Sequence, residues 1–132
     1  MKKLYVLSVF LTFAVFRMTA QVFVVDNFKF KVLNDNTVSV AKADGISLSG
    51  DLVIPATVDY EGNSYDVSQI AWHGFKGCSS LESIIIPSSV TSISDGAFQD
   101  CSSLASVSIP SGVTNIGHSA FRGCSSLASI SI

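Results

Sequence analysis

The sequence predicts a repeat solenoid: a right-handed coil of short parallel β-strands, stacked rung on rung, with a β-hairpin cap at its N-terminal end. Three observations carry that prediction. Cys78, Cys101 and Cys124 recur at a constant interval of 23 residues. Each opens the same phrase, CSSLESIII, CSSLASVSI and CSSLASISI in turn. The apolar positions around them also repeat in kind, as a continuous core built from copies requires.

The first element precedes the fold. Lys2 and Lys3 give a basic start, Leu4 to Phe16 is a mostly apolar stretch, and Ala20 is a small residue before Gln21. That order is the pattern of a secretory signal peptide over residues 1–20. A helix of that apolar length rises roughly 20 Å against a hydrocarbon core of about 30 Å, and Arg17 closes it, so a membrane-spanning anchor is disfavoured. After removal of this segment, five basic residues face ten acidic ones. Lys29, Lys31, Lys42, Lys76 and Arg122 are dispersed along the sequence and form no basic run. Nucleic acid and acidic membrane surfaces, which need cations gathered on one face, are therefore excluded as expected partners.

Residues 21–51 read as a β-rich N-terminal cap. Phe28, Phe30 and Val32 alternate with Lys29 and Lys31, Asn34-Asp35-Asn36 is turn chemistry, and Thr37 to Ala41 is a second strand. Residues 52–132 read as the solenoid. Phe75, Phe98 and Phe121 stand three residues before the cysteines, and Leu81, Leu104 and Leu127 three after. Four strand rungs follow from the alternation and its closing proline, near residues 52–54, 84–86, 107–109 and 130–132. The first is disguised. Leu52, Val53, Ile54 and Pro55 match Ile84, Ile85, Ile86 and Pro87, but a nine-residue surplus follows, read as a small hairpin extruded near residues 59–67. SSVTSI and SGVTNI read as a second short extended stretch in each coil, and DGAFQDC and HSAFRGC as one helical turn. Ile132 stands where the earlier copies have the residue before proline, so the array is expected to be incomplete at that end, as in a fragment of a longer protein.

Few residues carry chemistry. Structural metal sites use four close ligands, commonly in paired C-x-x-C segments, and none is present. The cysteines are expected to be a ladder of small buried thiols. One bridge between neighbours stays open, because rungs about 4.8 Å apart fall within disulfide reach. His73 and His118 are the only neutral-pH bases, and they occupy different positions in their coils. Gly117-His118-Ser119-Ala120 lacks the final glycine of a nucleophile elbow. No catalytic residue, cofactor or metal is expected.

The unit G-x-x-A-F-x-x-C-S-S-L-x-S-I-x-I-P-S-x-V-T-x-I resembles the BspA-type, or treponemal-type, leucine-rich repeat family. It covers residues 67–132 in register and residues 52–58 more loosely. Trp72-His73-Gly74 and Ser94 depart from the later copies. The resemblance implies a microbial surface or secreted protein, often one that adheres to host or extracellular proteins or to other cells, and it implies no catalytic residues.

The expected function is thus an exported, non-enzymatic protein-binding module, adhesin-like, located on the cell surface or secreted. Its candidate contacts are the outward strand positions Ser83, Ile85, Ser106, Ser108, Ser129 and Ser131, with Tyr60 and Tyr65 on the hairpin and Trp72 beside the first phenylalanine. For any one serine a plain solvated face is the favoured reading, and Trp72 at a solenoid end is more often a packing residue than a contact. The alternative is a structural role, in which coils associate end to end through the uncapped C-terminal edge.

Overall fold

The computed structural model describes residues 21–132. The signal peptide expected over residues 1–20 lies outside the described residues. Strands alone make up the regular structure there, and no helix among them is long and apolar enough to cross a membrane.

Four strands are the rungs: β4 (Ser49–Val53), β7 (Ser80–Ile85), β9 (Ser106–Ser108) and β11 (Ser129–Ser131). They form one parallel sheet, in the order β11-β9-β7-β4. Leu52 pairs with Ile84, Ile84 with Val107, and Val107 with Ile130, which is the register that aligning the prolines predicts. The strands stop one residue short of the expected ends. Ile54, Ile86 and Ile109 instead turn inward, where they are buried, while each N–H still reaches the next coil. The following Pro55, Pro87 and Pro110 have no donor with which to continue a ladder.

The second extended stretch of each coil forms β8 (Ser92–Ile93) and β10 (Asn115–Ile116). These join β1 (Val22–Val25), β2 (Phe28–Val32), β3 (Thr37–Lys42), β5 (Thr57–Tyr60) and β6 (Asn63–Ile70) in a seven-stranded sheet, ordered β1-β2-β3-β6-β8-β10 with β5 alongside β6. Each coil therefore crosses between two sheets, and the core fills the space between them.

The return turns are not helical. Ala97 N–H bonds Ser94 O and Cys101 N–H bonds Phe98 O, both three residues back. Phe98 N–H is directed to Ala120 O at 2.8 Å and Asp100 N–H to Arg122 O at 2.7 Å in the next coil. A helix would need those donors for itself, and the stack takes them instead. The turns hold the phenylalanine column. Phe75 and Phe98 stack at 5.6 Å between ring centroids, and Phe98 and Phe121 at 5.5 Å. Phe28 meets Phe75 edge-on at 6.3 Å and closes the column from the cap side.

The cap hairpin is β2 and β3, antiparallel, with Asn34 Oδ1 accepting from Asn36 and Thr37 N–H. Beyond the sequence reading, β1 adds a third antiparallel strand, and β3 pairs parallel with β6. The cap thus continues the solenoid's own sheet and covers its apolar end. The surplus segment is a hairpin, as expected, with Glu61 and Gly62 both at positive φ in a two-residue loop. It is not extruded. Val58 and Tyr65 are buried, and β6 runs on into the large sheet.

Candidate functional site

The rung sheet brings the predicted strand residues together. Asp51, Ser83, Ser106 and Ser129 form one outward row, and Val53, Ile85, Ser108 and Ser131 a second. Ser83 Oγ donates to Asp51 Oδ1 at 2.7 Å, which ties the head of the first row. The second row begins with an apolar pair: Val53 is 63% exposed and Ile85 52%. The serines beyond it are small and uncharged, so the apolar pair is the part of this face with surface to bury against a partner. Val53 was legible as a counterpart of Ile85 once the prolines were aligned.

The aromatic candidates separate. Tyr65 is buried in the core between the sheets, and this corrects its expected place on an exposed hairpin. The physical reason is register: Tyr65 pairs with buried Val58, and both side chains face inward. Tyr60 is half-buried and stacks on Phe23 at 4.0 Å, nearly parallel, so most of its ring area serves the cap. The hydrogen bond to Glu61 and its charge push the Tyr60 phenol pKa up. Trp72 is 69% exposed, with its ring stacked on His73 at 4.0 Å. His73 sits at a φ of 51° and its ring lies over the backbone of Gly96 in the next coil, where a Cβ would overlap it. That close approach accounts for glycine at position 96, the place His73 holds in the preceding coil.

The basic residues are dispersed in sequence but not in space. Lys29, Lys31, Lys42 and Lys76 all line one concavity of about 420 Å³, together with Trp72 and His73. The alternation of β2 sets Lys29 and Lys31 on the face opposite buried Phe30, and Lys42 N–H bonds Gly74 O, which brings the end of β3 against the first return turn. Asp44 pairs with Lys29 at 2.8 Å, and that hydrogen bond and charge hold its carboxyl below the usual range. It is the one ion pair among the described residues.

All three cysteines are free thiols. Cys101 Sγ donates to Phe75 O at 3.2 Å and Cys124 Sγ to Phe98 O at 3.1 Å, so the ladder links each coil to the one before. The hydrogen-bonded Cys78 thiol and burial push Cys101 up, and burial pushes Cys124 up. Held protonated, Cys101 and Cys124 are poor nucleophiles and poor metal ligands, whereas the hydrogen bond with Cys101 shifts the Cys78 thiol downward.

A two-sheet coil with an L-x-x-I-x-I rung, an N-terminal cap and an exposed strand face defines a leucine-rich-repeat solenoid. Residues 63–132 match the family described as the BspA type leucine rich repeat region, and the chain belongs to that family. A leucine-rich repeat protein from Bacteroides ovatus is similar at 35% identity, with a TM-score of 0.71 over 82% of this chain and 28% of that one. A leucine-rich cell surface protein from Faecalibacterium prausnitzii is similar at 35% identity, with a TM-score of 0.73 over 83% of this chain and 30% of its own length. A leucine-rich repeat protein from Bacteroides capillosus shares the fold at 22% identity and a TM-score of 0.61, over 83% of this chain and 96% of that one. The chain spans less than a third of the length of the first two relatives. No curated protein matches it in sequence.

Proposed function

We propose that the protein is an exported, non-enzymatic binding module that attaches its cell to host or extracellular proteins, or to another cell, through the rung sheet. The observation that carries this reading is the in-register outward face headed by Val53 and Ile85, in a family typical of bacterial surface proteins. An exposed apolar pair on a flat strand surface supplies burial without a cavity, which suits a macromolecular partner more than a small substrate. The basic N-terminal segment supports export.

Two measurements test it. Protease treatment of intact producing cells should remove the protein; full protection would overturn export. Adherence of the purified protein to immobilised matrix proteins and to whole cells should fall at least about tenfold in a Val53→Asp, Ile85→Asp double variant with an unchanged far-UV spectrum. Adherence that survives this variant would remove the strand face from the interface.

A second reading is self-association at the β11 edge. It rests on apolar surface at the last coil: Ile130 is 42% exposed, Ile132 is exposed, and Phe121 and Leu127 are only half-buried. Sizing over a range of concentrations should then show oligomers that Ile130→Asp abolishes, and a monomer throughout would reject it.

A further inference from the structure

We infer that the lysine-lined concavity between the cap and the first return turn is a second binding site, and that it takes an extended peptide segment with acidic side chains at alternate positions. It stands apart from the strand-face reading, and either can fail alone.

Four of the five basic residues after position 20 line this one hollow, on a chain whose formal charge is negative. Chance placement on an acidic surface would scatter them. Asp44 meets Lys29 in a bridge whose side chains are 35% and 87% exposed, weak enough for an incoming carboxylate to replace it, and Lys31, Lys42 and Lys76 have no ion-pair partner among the described residues. Lys31 and Lys76 are exposed, so their charges are available. Cations within one concavity lie inside a single Debye length at ordinary ionic strength, and a hollow concentrates their field.

The spacing selects the ligand. Lys29 and Lys31 stand two residues apart on one face of β2, which sets their stems about 7 Å apart. Acidic residues at alternate positions of an extended peptide have the same separation on one side, so two carboxylates match two ammonium groups without distortion. Lysine binds such anions as a flexible point charge and tolerates their orientation. Trp72, exposed with its ring backed by His73, supplies an aromatic wall for the peptide's intervening residues. The hollow, of about 420 Å³, has room for a few residues of such a segment.

Trp72 is the only tryptophan in the chain, so its fluorescence reports on this site alone. The purified protein is titrated with a synthetic Glu-Ser-Glu-Ser-Glu peptide in low-salt buffer, with the Gln-Ser-Gln-Ser-Gln peptide as control. The acidic peptide should give a saturable change in Trp72 emission that weakens with added salt. The glutamine peptide should give none. A Lys31→Glu, Lys76→Glu variant should bind at least about tenfold more weakly while keeping its thermal unfolding and its strand-face adherence. Equal binding by the glutamine peptide, or by the variant, would overturn the proposal. Saturation by a sulfated oligosaccharide or a short nucleic acid, with no response to the acidic peptide, would overturn the assignment to a peptide.

Discussion

The coils that begin at Cys101 and at Cys124 have almost the same sequence and different physical lives. Cys101, Leu104 and Val107 are buried, whereas Cys124 and Leu127 are half-buried and Ile130 is exposed. The phrase CSSLAS is identical in both. Burial in a solenoid is therefore a property of having a neighbour on each side, not of the motif. Any energy assigned to a repeat position must name the coil in which it sits.

Substitutions in the two coils should separate them most sharply. Leu104→Ala should destabilise by roughly 2–5 kcal/mol and Phe98→Ala by about 3–5, because each opens a cavity that packed neighbours cannot close. Leu127→Ala and Phe121→Ala should each cost roughly half as much, since part of the side chain already meets water. Urea unfolding of the four variants decides the matter; equal losses in matched pairs would mean that the last coil is as well packed as the middle one.

Gly96→Ala comes next, at about 1–2 kcal/mol. Gly96 has a φ of +63°, and the new methyl would meet the His73 ring. A companion His73→Ala change removes the ring and should recover part of the loss. No recovery would show that backbone strain alone is responsible.

A third measurement is kinetic. Cys124 should react with a soluble thiol reagent faster than Cys101, which is buried and more strongly held protonated. Appending a further copy of residues 110–132 after Ile132 should slow Cys124 towards the rate of Cys101. Unchanged labelling of Cys124 would argue against neighbour-dependent burial.

The smallest effect concerns pH. The Asp44 carboxyl is lowered in the folded state by Lys29, so its contribution is present above the carboxyl's unfolded pKa. It is lost as pH falls through the lower folded value. Asp44→Asn should therefore lower stability slightly at neutral pH, flatten the acid limb, and converge with the parent protein once the pH is below the folded carboxyl value. A loss confined to low pH would contradict the sign.

Much of the solenoid was legible because its information is periodic. The prolines aligned Leu52 with Ile84 across an irregular spacing, and the cysteine interval located the phenylalanine column before any geometry was known. What stayed hidden depends on pairing between unlike segments. The β-branched and aromatic run Val22 to Val25 before Asp26-Asn27 has a strand's composition, but composition does not say that it will pair with β2, and alternation alone does not say that β3 will join β6. The return turn looked helical because Ala and Phe favour that spacing, yet its N–H groups go to the next coil. The lysines looked scattered for the same reason: their convergence depends on β2 lying against β3 and on β3 meeting the first return turn. Tyr65 was misplaced because a hairpin inserted between repeats reads as a protrusion, whereas this one contributes a strand to the sheet.

The backbone bonds that run from one coil to the next carry a genetic consequence. Thr114 N–H reaches Thr91 O at 2.9 Å, and Thr91 N–H reaches Ser68 O at the same distance, each across one repeat length. Removing or duplicating a whole repeat re-forms every such bond with an equivalent partner, while another change in length keeps them only where an added element absorbs the surplus, as the β5–β6 hairpin does. The gene can thus lengthen or shorten by unequal exchange between its own repeats in steps of 69 nucleotides (three per residue of the 23-residue interval), with each product already matched to the fold.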